Sequence, residues 1–331
     1  MGAFLAGFGS PLVDYSVCVT DDFLTRNGIS GKGGTQNISV ADREKLLAGC
    51  VFPVVFSPGG AAANTAMAAA KAGVPAAFAG FTGDDEPGRF WIADMKEAGV
   101  DTANVFADKT KPTGFCLAMI TPDAERTMRS DLGASVAFTA ETAAKFDFSG
   151  VKWLLAEGYF INHPALPQVV KTAKKAGCRV ALDLCSFELA GSYSREFMEL
   201  ISGNVDMLFA NRDEAVALTG RNSPAEALQS LMSSVSVAVV KCGADGSMIG
   251  TQGEIHNIPA EKTLAVDTTA AGDYYAAGFF WGLYHHLPPA QCGRAGAVMA
   301  AEIVGHQGTQ LDRAIWEKLN ARLEQLKCNT K

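Results

Sequence analysis

Asp267-Thr268-Thr269-Ala270-Ala271-Gly272-Asp273 is the stretch whose reading decides this chain. A β-branched approach, Leu264 to Val266, runs into small residues, and an apolar helical run, YYAAGFFWGLYHH, starts at about Asp273. Small residues at a strand-to-helix turn let several backbone N–H groups converge. A helix start carries partial positive charge and unpaired donors, so it binds anions, phosphate above all. A carboxylate at the same spot makes sense if Asp273 takes the proton of a hydroxyl that attacks phosphorus. As a plain N-cap, Asp273 would need no ligand. The seven residues alone leave both readings open.

The composition suits a soluble globular protein. The 331 residues are enough for one large α/β domain, and a 48% hydrophobic and 19% charged chain is ordinary for a globular protein. The net charge of −7, with no basic run, argues against nucleic acid as a partner. No 18-residue apolar stretch is free of charge, which argues against a membrane span. The opening MGAFLAGFGSPLVD lacks a basic n-region and reads as a core strand rather than a signal peptide. The eight cysteines (18, 50, 116, 178, 185, 242, 292, 328) never fall at CxxC spacing, so reduced thiols in the cytoplasm are expected.

Taken in order, residues 3–8 read as a strand ending in Gly7-Phe8-Gly9. This is not a dinucleotide fingerprint, because Leu12 stands where a third glycine belongs and Pro11 breaks the helix start. Segments 12–19, 34–40, 51–57, 113–121 and about 126–132 read as strands outside the main unit, with a helix-like piece at 21–27. Lys32 lies in a Gly-rich tract without phosphate-loop spacing and is read as part of a turn. An Ala-rich helix covers 61–72 behind Gly59-Gly60, and Asn64 in its first turn offers a donor and an acceptor. From residue 75 a βα rhythm sets in, with strands at 75–83, 153–160, 179–185 and 205–210, a strand, Gly turn and second strand over 236–250, and helices at 164–176, 193–202, 273–286 and 289–304. Asp84 and Asp85 read as helix-capping acids, and His285 and His286 as a helix end. The last residues, 327–331, read as a frayed end.

Several motifs recur together. They are Gly9 to Asp14 (GSPLVD), Ser57 to Asn64 (SPGGAAAN), Asn211 to Ala215 (NRDEA), Lys241 to Gly246 (KCGADG) and the Asp267–Asp273 string. In this order they resemble the PfkB, or ribokinase-like, family of sugar and nucleoside kinases over nearly the whole chain. Ala270 stands where that family usually has a glycine. The resemblance implies a doubly wound, mostly parallel α/β sheet flanked by helices, as one domain over 1–331, with a small β-rich lid from about 12–57 and 111–133. It also implies ATP and Mg²⁺, with K⁺ in many members.

The site residues follow from the same resemblance. Asp273 would be the base, and the backbone amides of Ala271, Gly272 and Asp273, behind Ala270 in the same turn, would cradle the transferring phosphoryl group. Arg126 would reach the transferring phosphate, with Arg129 a nearby rival. Asp14, Gly59, Gly60 and Asn64 would hold the acceptor. Asn211, Lys241, Gly243, Gly246, His306 and Gly308 would line the nucleotide site. Glu214 with Asn211 would hold Mg²⁺ through water, and Asp267 with Thr269 a monovalent cation. The expected acceptor is the hydroxymethyl group of an adenosine-like ribonucleoside, with Tyr15, Phe115 or Leu132 walling the base. The alternatives are a free-sugar kinase, of ribose, fructose or 2-keto-3-deoxygluconate type, and a non-catalytic nucleotide-binding relative suggested by Ala270. A monomer or a lid-mediated homodimer is expected.

Overall fold

The computed structural model describes residues 2–123, 125–251 and 253–328. In chain order the strands are β1 (Leu5–Phe8), β2 (Leu12–Cys18), β3 (Thr35–Asn37), β4 (Val55–Gly59), β5 (Ala76–Gly83), β6 (Val100–Asp108), β7 (Thr113–Ile120), β8 (Arg126–Gly133), β9 (Trp153–Glu157), β10 (Arg179–Asp183), β11 (Met207–Asn211), β12 (Val237–Lys241), β13 (Ser247–Thr251) and β14 (Glu254–Ile258). Nine of them form one sheet in the order β14-β13-β12-β11-β10-β9-β1-β5-β6. It is parallel from β12 to β6 and ends in an antiparallel edge, β12-β13-β14. The other five form a lid sheet, β3-β8-β7-β2-β4.

The two sheets interleave in sequence. From β1 the chain enters the lid, returns through β4 and the helix Ala61–Lys71, and lays β5 beside β1. From β6 it enters the lid again and returns to place β9 on the other side of β1. The connection leaving β1 runs toward β5 and the one leaving β9 runs toward β10, in opposite directions, so the crevice between their carboxyl ends is a topological switch point, where open α/β sheets hold ligands. Phe8 pins this place, meeting Phe138 edge-on at 5.3 Å on the segment returning from the lid.

Small residues bring the site-bearing helices close. Ala62 to Ala69 of the helix Ala61–Lys71 are buried, as are Ala276, Ala277 and Gly278 of the helix Ala271–Tyr284. Gly278 lies against the backbone of Ala295 in the next helix, Pro289–Val304, with no space for a side chain. Both helices pack on one face of the sheet with Leu5, Leu155 and Phe209, and a second cluster around Phe8, Val169 and Phe197 fills the other face.

Several boundaries differ from the sequence reading. The expected strand 34–40 shrinks to β3, and a helix, Val40–Ala48, follows it. Ser39 and Asp42 form a reciprocal capping box there, and the ADREKLLA run favours helix. The strand expected at 51–57 begins at Val55, and Val51 and Phe52 are exposed. Strand β6 and the helix Arg313–Cys328 were not anticipated. The helix expected from Asp273 starts at Ala271. Asp85 caps the helix Glu86–Glu97 and binds Thr113. Lys32 bridges Asp21 and Asp123 in the lid. Of the end expected to fray, residues 329–331 lie outside the described residues. The cysteines with described side chains (18, 50, 116, 178, 185, 242, 292) are free thiols. No described helix is long and apolar enough to cross a membrane.

Candidate active site

Parallel strands point their carboxyl ends the same way, so end residues scattered through the sequence become neighbours. β9 ends in Glu157, β10 in Asp183, β11 in Asn211 and β12 in Lys241. Asp183 pairs in register with Glu157, and Asn211 with Lys241. Above this edge two helix starts meet. Asn64 donates from Nδ2 to Oδ2 of Asp273 at 2.9 Å, and the Thr65 hydroxyl donates to the Asp273 carbonyl at 3.2 Å.

Ala270, the N-cap of the Asp273 helix, sits in the left-handed region at φ 60°. That turn directs the next N–H groups outward. Ala271 N–H bends back to the Thr268 carbonyl at 3.3 Å, and Tyr274 N–H to Ala270 at 2.9 Å. The N–H groups of Gly272 and Asp273 donate to no described residue. Two free donors at the start of a 14-residue helix fit a phosphate group. On the acceptor side, Gly60 caps its helix at φ 108°, a conformation that favours glycine. Asp14 lies directly over Gly59, where any side chain would collide with its carboxylate.

The carboxyl groups here are held close to neutrality. Burial pushes Asp273 up to about 7; the Asn64 hydrogen bond and Lys241 oppose this, while Asp183 and Glu214 add to it. Asp14 rises to about 7 by burial and the Asp273 charge, against Arg126. Glu214 rises to about 7, chiefly by burial and the nearby Asp183.

Glu157 escaped the sequence reading. Its carboxylate accepts from Ala62 N–H at 2.8 Å and Ser10 N–H at 3.0 Å, tying β9 to both substrate-side loops, and burial raises it to about 7. The signal was present in Gly9, whose missing side chain leaves room for this carboxylate. Asp183, inside the strand expected at 179–185, closes β10 beside Glu157.

Other expected residues are placed differently. Arg126 projects from the lid onto Asp267 and Thr269, the pair expected to hold a monovalent cation. Asp267 also accepts from Thr269 N–H at 2.9 Å and Gly308 N–H at 2.8 Å. Burial raises its carboxyl, but these bonds and Arg126 prevail and hold it below the usual range. Its acceptors are thus engaged, and the pair does not fit K⁺ with the guanidinium in place. Arg129 faces away from Arg126, and donates to the Met128 carbonyl at 2.8 Å. Lys241 does not extend along its glycine loop but turns inward to Asp183 at 3.0 Å. Gly243 and Gly246 take positive φ (61° and 87°) in the turn between β12 and β13. His306, just past the end of the helix Pro289–Val304, lies 3.4 Å from Glu302 of that helix, and Gly308 N–H donates to Asp267.

Asn211 caps the helix Arg212–Thr219 by accepting from Asp213 and Glu214 N–H, and Glu214 accepts from Asn211 N–H at 2.7 Å through Oε2. The other Glu214 oxygen has no described partner. No cluster of three acidic, His or Cys ligands exists among the described residues. One available carboxylate oxygen suits a cation that keeps its waters and takes phosphate ligands, the habit of Mg²⁺.

The base wall expected from Tyr15 and Phe115 is corrected by the strand parity. Asp14 and Cys116 face the site, so Tyr15 and Phe115 point to the far side of the lid, where Arg43 covers both rings at 4.8 and 4.7 Å. Leu132 has the parity of Arg126. Two other aromatic residues follow β9 and β10 instead. Tyr159 is 42% exposed and Phe187 54%. The Tyr159 hydroxyl donates to the Cys185 carbonyl at 3.1 Å, two residues before Phe187. Burial of the Tyr159 hydroxyl and nearby charges, among them Cys185, Glu157 and Asp273, raise its pKa well above that of an ordinary tyrosine.

Comparison with known proteins agrees with this fold. Residues 41–316 match the family described as pfkB family carbohydrate kinase. The 5-dehydro-2-deoxygluconokinase of Bacillus subtilis (strain 168) is 29% identical over 240 residues, 68% of this chain and 74% of that protein. The crystal structure of a probable sugar kinase from Rhizobium etli CFN 42 superposes with a TM-score of 0.84 at 28% identity, covering 98% of this chain and all (100%) of the other. That of the adenosine kinase from Sinorhizobium meliloti gives 0.83 at 30% identity, covering 97% and 100%.

Proposed function

The chain belongs to the pfkB family of carbohydrate kinases, and from that premise we propose that it transfers the terminal phosphoryl group of ATP to the hydroxymethyl group of a ribonucleoside. It is a phosphotransferase that acts on an alcohol group of a small molecule. Asp273 takes the hydroxyl proton as the oxygen attacks phosphorus, and the N–H groups of Gly272 and Asp273 receive the charge of the phosphoryl oxygens. Asn64 holds the Asp273 carboxylate in line, and Asp14, over Gly59, accepts from the sugar hydroxyls. Mg²⁺ at Glu214 and Asn211 would supply neutralising charge to the phosphates. Most of the acceleration then comes from positioning and electrostatics.

The observation that carries the nucleoside reading is the partly exposed Tyr159, which lies close enough to Glu157, Asp273 and Glu214 to feel their charges. Flat aromatic faces suit a base. A second reading, a free-sugar kinase, is favoured by the lid face, where Ser16, Cys116, Ala118 and Ser130 present small side chains.

ADP release is measured with Mg²⁺ across adenosine, other ribonucleosides, ribose, fructose and 2-keto-3-deoxygluconate. Turnover on nucleosides is expected, with Tyr159→Ala raising their KM about tenfold, the size of a lost stacking contact. Turnover on free sugars alone overturns the nucleoside reading. Asp273→Asn is expected to lose at least about a hundredfold in kcat while still binding ATP.

A further inference from the structure

Lys241 and Asp183 form an ion pair that neither the anion hole nor the base accounts for. Lys241 ends β12 and Asp183 ends β10, so the contact reaches across β11. The Nζ lies 3.0 Å from Asp183 Oδ2, with the two side chains 14% and 11% exposed. A buried pair of this kind is seldom needed for stability, since apolar residues of similar volume serve as well or better. An ammonium also has three N–H bonds. Asp183 takes one, and no other described residue accepts from Lys241.

Gly272 explains where the others go. Its backbone is helical and needs no positive φ. A Cβ at this position would lie 3.0 Å from Lys241 Nζ, tighter than such contacts ordinarily are. Glycine here therefore makes room for the ammonium directly beside the free N–H of the anion hole. Arg126, the expected cation, is engaged by Asp267 and Thr269. Burial works against the Lys241 charge, but Asp183, Glu214 and Asp273 outweigh it and favour the ammonium form.

We propose that Lys241 is a catalytic residue, the fixed cationic arm of the anion hole that touches the transferring phosphoryl group, and that Asp183 is its positioning residue. The proposal rests on the kinase reading above. In the step, the acceptor oxygen–phosphorus bond forms and the bond from phosphorus to the bridging oxygen of ATP breaks, its electron pair leaving on ADP. The hydroxyl proton goes to Asp273. Lys241 stays protonated and neutralises charge on the phosphoryl oxygens as they pass between donor and acceptor.

The test uses the full-length protein and the variants Lys241→Met, Asp183→Asn and Lys241→Met/Asp183→Leu, the last leaving neither charge unpaired. Measured are kcat, the melting temperature, and affinity for MgADP with and without aluminium fluoride, a mimic of the phosphoryl group in flight. Lys241→Met is expected to lower kcat about a hundred- to a thousandfold, as for loss of one anion-hole donor. It should weaken the aluminium fluoride complex by a similar factor while MgADP affinity changes less than about threefold. Asp183→Asn should show the same pattern at about tenfold. The double variant should fold and keep the kcat loss. Parent-like kcat in the double variant overturns the proposal. So does equal weakening of MgADP with and without aluminium fluoride, which would leave Lys241 a nucleotide-binding group only. Asp273→Asn is run alongside. Turnover retained there sinks the base assignment, whereas its loss beside active lysine variants sinks only the role of Lys241.

Discussion

Asn64 and Asp273 join side chain to side chain at 2.9 Å across 209 residues of sequence, and with the Thr65 hydroxyl bound to the Asp273 carbonyl this hydrogen bond ties the starts of two helices together. The donor is an amide, so the bond is strongest to an ionised carboxylate. It is the chief influence opposing the burial that lifts Asp273 to about 7.

The rate should therefore depend on pH through Asp273. A base works deprotonated, so kcat/KM is expected to rise with pH and level off above about 7. Asn64→Leu removes the opposing bond and should move this limb to higher pH while lowering the plateau. A pH–rate profile of both proteins checks it; an unmoved limb would mean that Asn64 does not contact the ionised base.

Four carboxyl groups, Asp14, Glu157, Glu214 and Asp273, rise to about 7 on folding. A raised pKa means the folded state holds the proton more tightly, so stability is greatest below the unfolded value near 4 and falls as pH rises through 7. His163 and His285, held below their usual range by burial, act in the opposite sense but are fewer. The melting temperature without nucleotide is expected to fall between pH 5 and 8, and a rise would contradict these assignments. Glu157→Ala should cost about 2 kcal/mol or more by orphaning the Ser10 and Ala62 N–H groups.

Arg126 lies where a monovalent cation was expected, on Asp267 and Thr269. Exchanging NaCl for KCl should leave turnover of the parent unchanged. Arg126→Ala frees both acceptors, and its turnover should then respond to K⁺ more than to Na⁺. Strong K⁺ activation of the parent would show that the guanidinium leaves this place during turnover.

Ala270 holds φ at 60°, a conformation costing a residue with a Cβ about 1–2 kcal/mol. Glycine relieves the strain and adds freedom to the unfolded chain, which offsets part of the gain. Ala270→Gly should raise stability by about 1 kcal/mol or less in denaturant unfolding. A loss would show that the Ala270 methyl contributes more by packing against the apolar cluster beside it.

The order of motifs and the change of hydrophobic period were legible in the one-dimensional chain. They pointed to the doubly wound sheet and to a small-residue helix start at Asp273, because turn chemistry and helix starts are local properties of a few adjacent residues, while the lid was implied by the family resemblance alone. What only the tertiary structure decided is where side chains from distant strand ends meet. Glu157, Asp183 and Lys241 lie 26 to 84 residues apart in sequence, yet parallel pairing brings their strand ends to one edge. Lid parity turned Tyr15 and Phe115 away, and the segment after β9 brings Tyr159 to the site carboxylates instead. Arg126 found Asp267 for a like reason: a buried carboxylate is stable only when paired or hydrogen-bonded, and which partner meets it depends on the packing of lid on core, which no local pattern encodes.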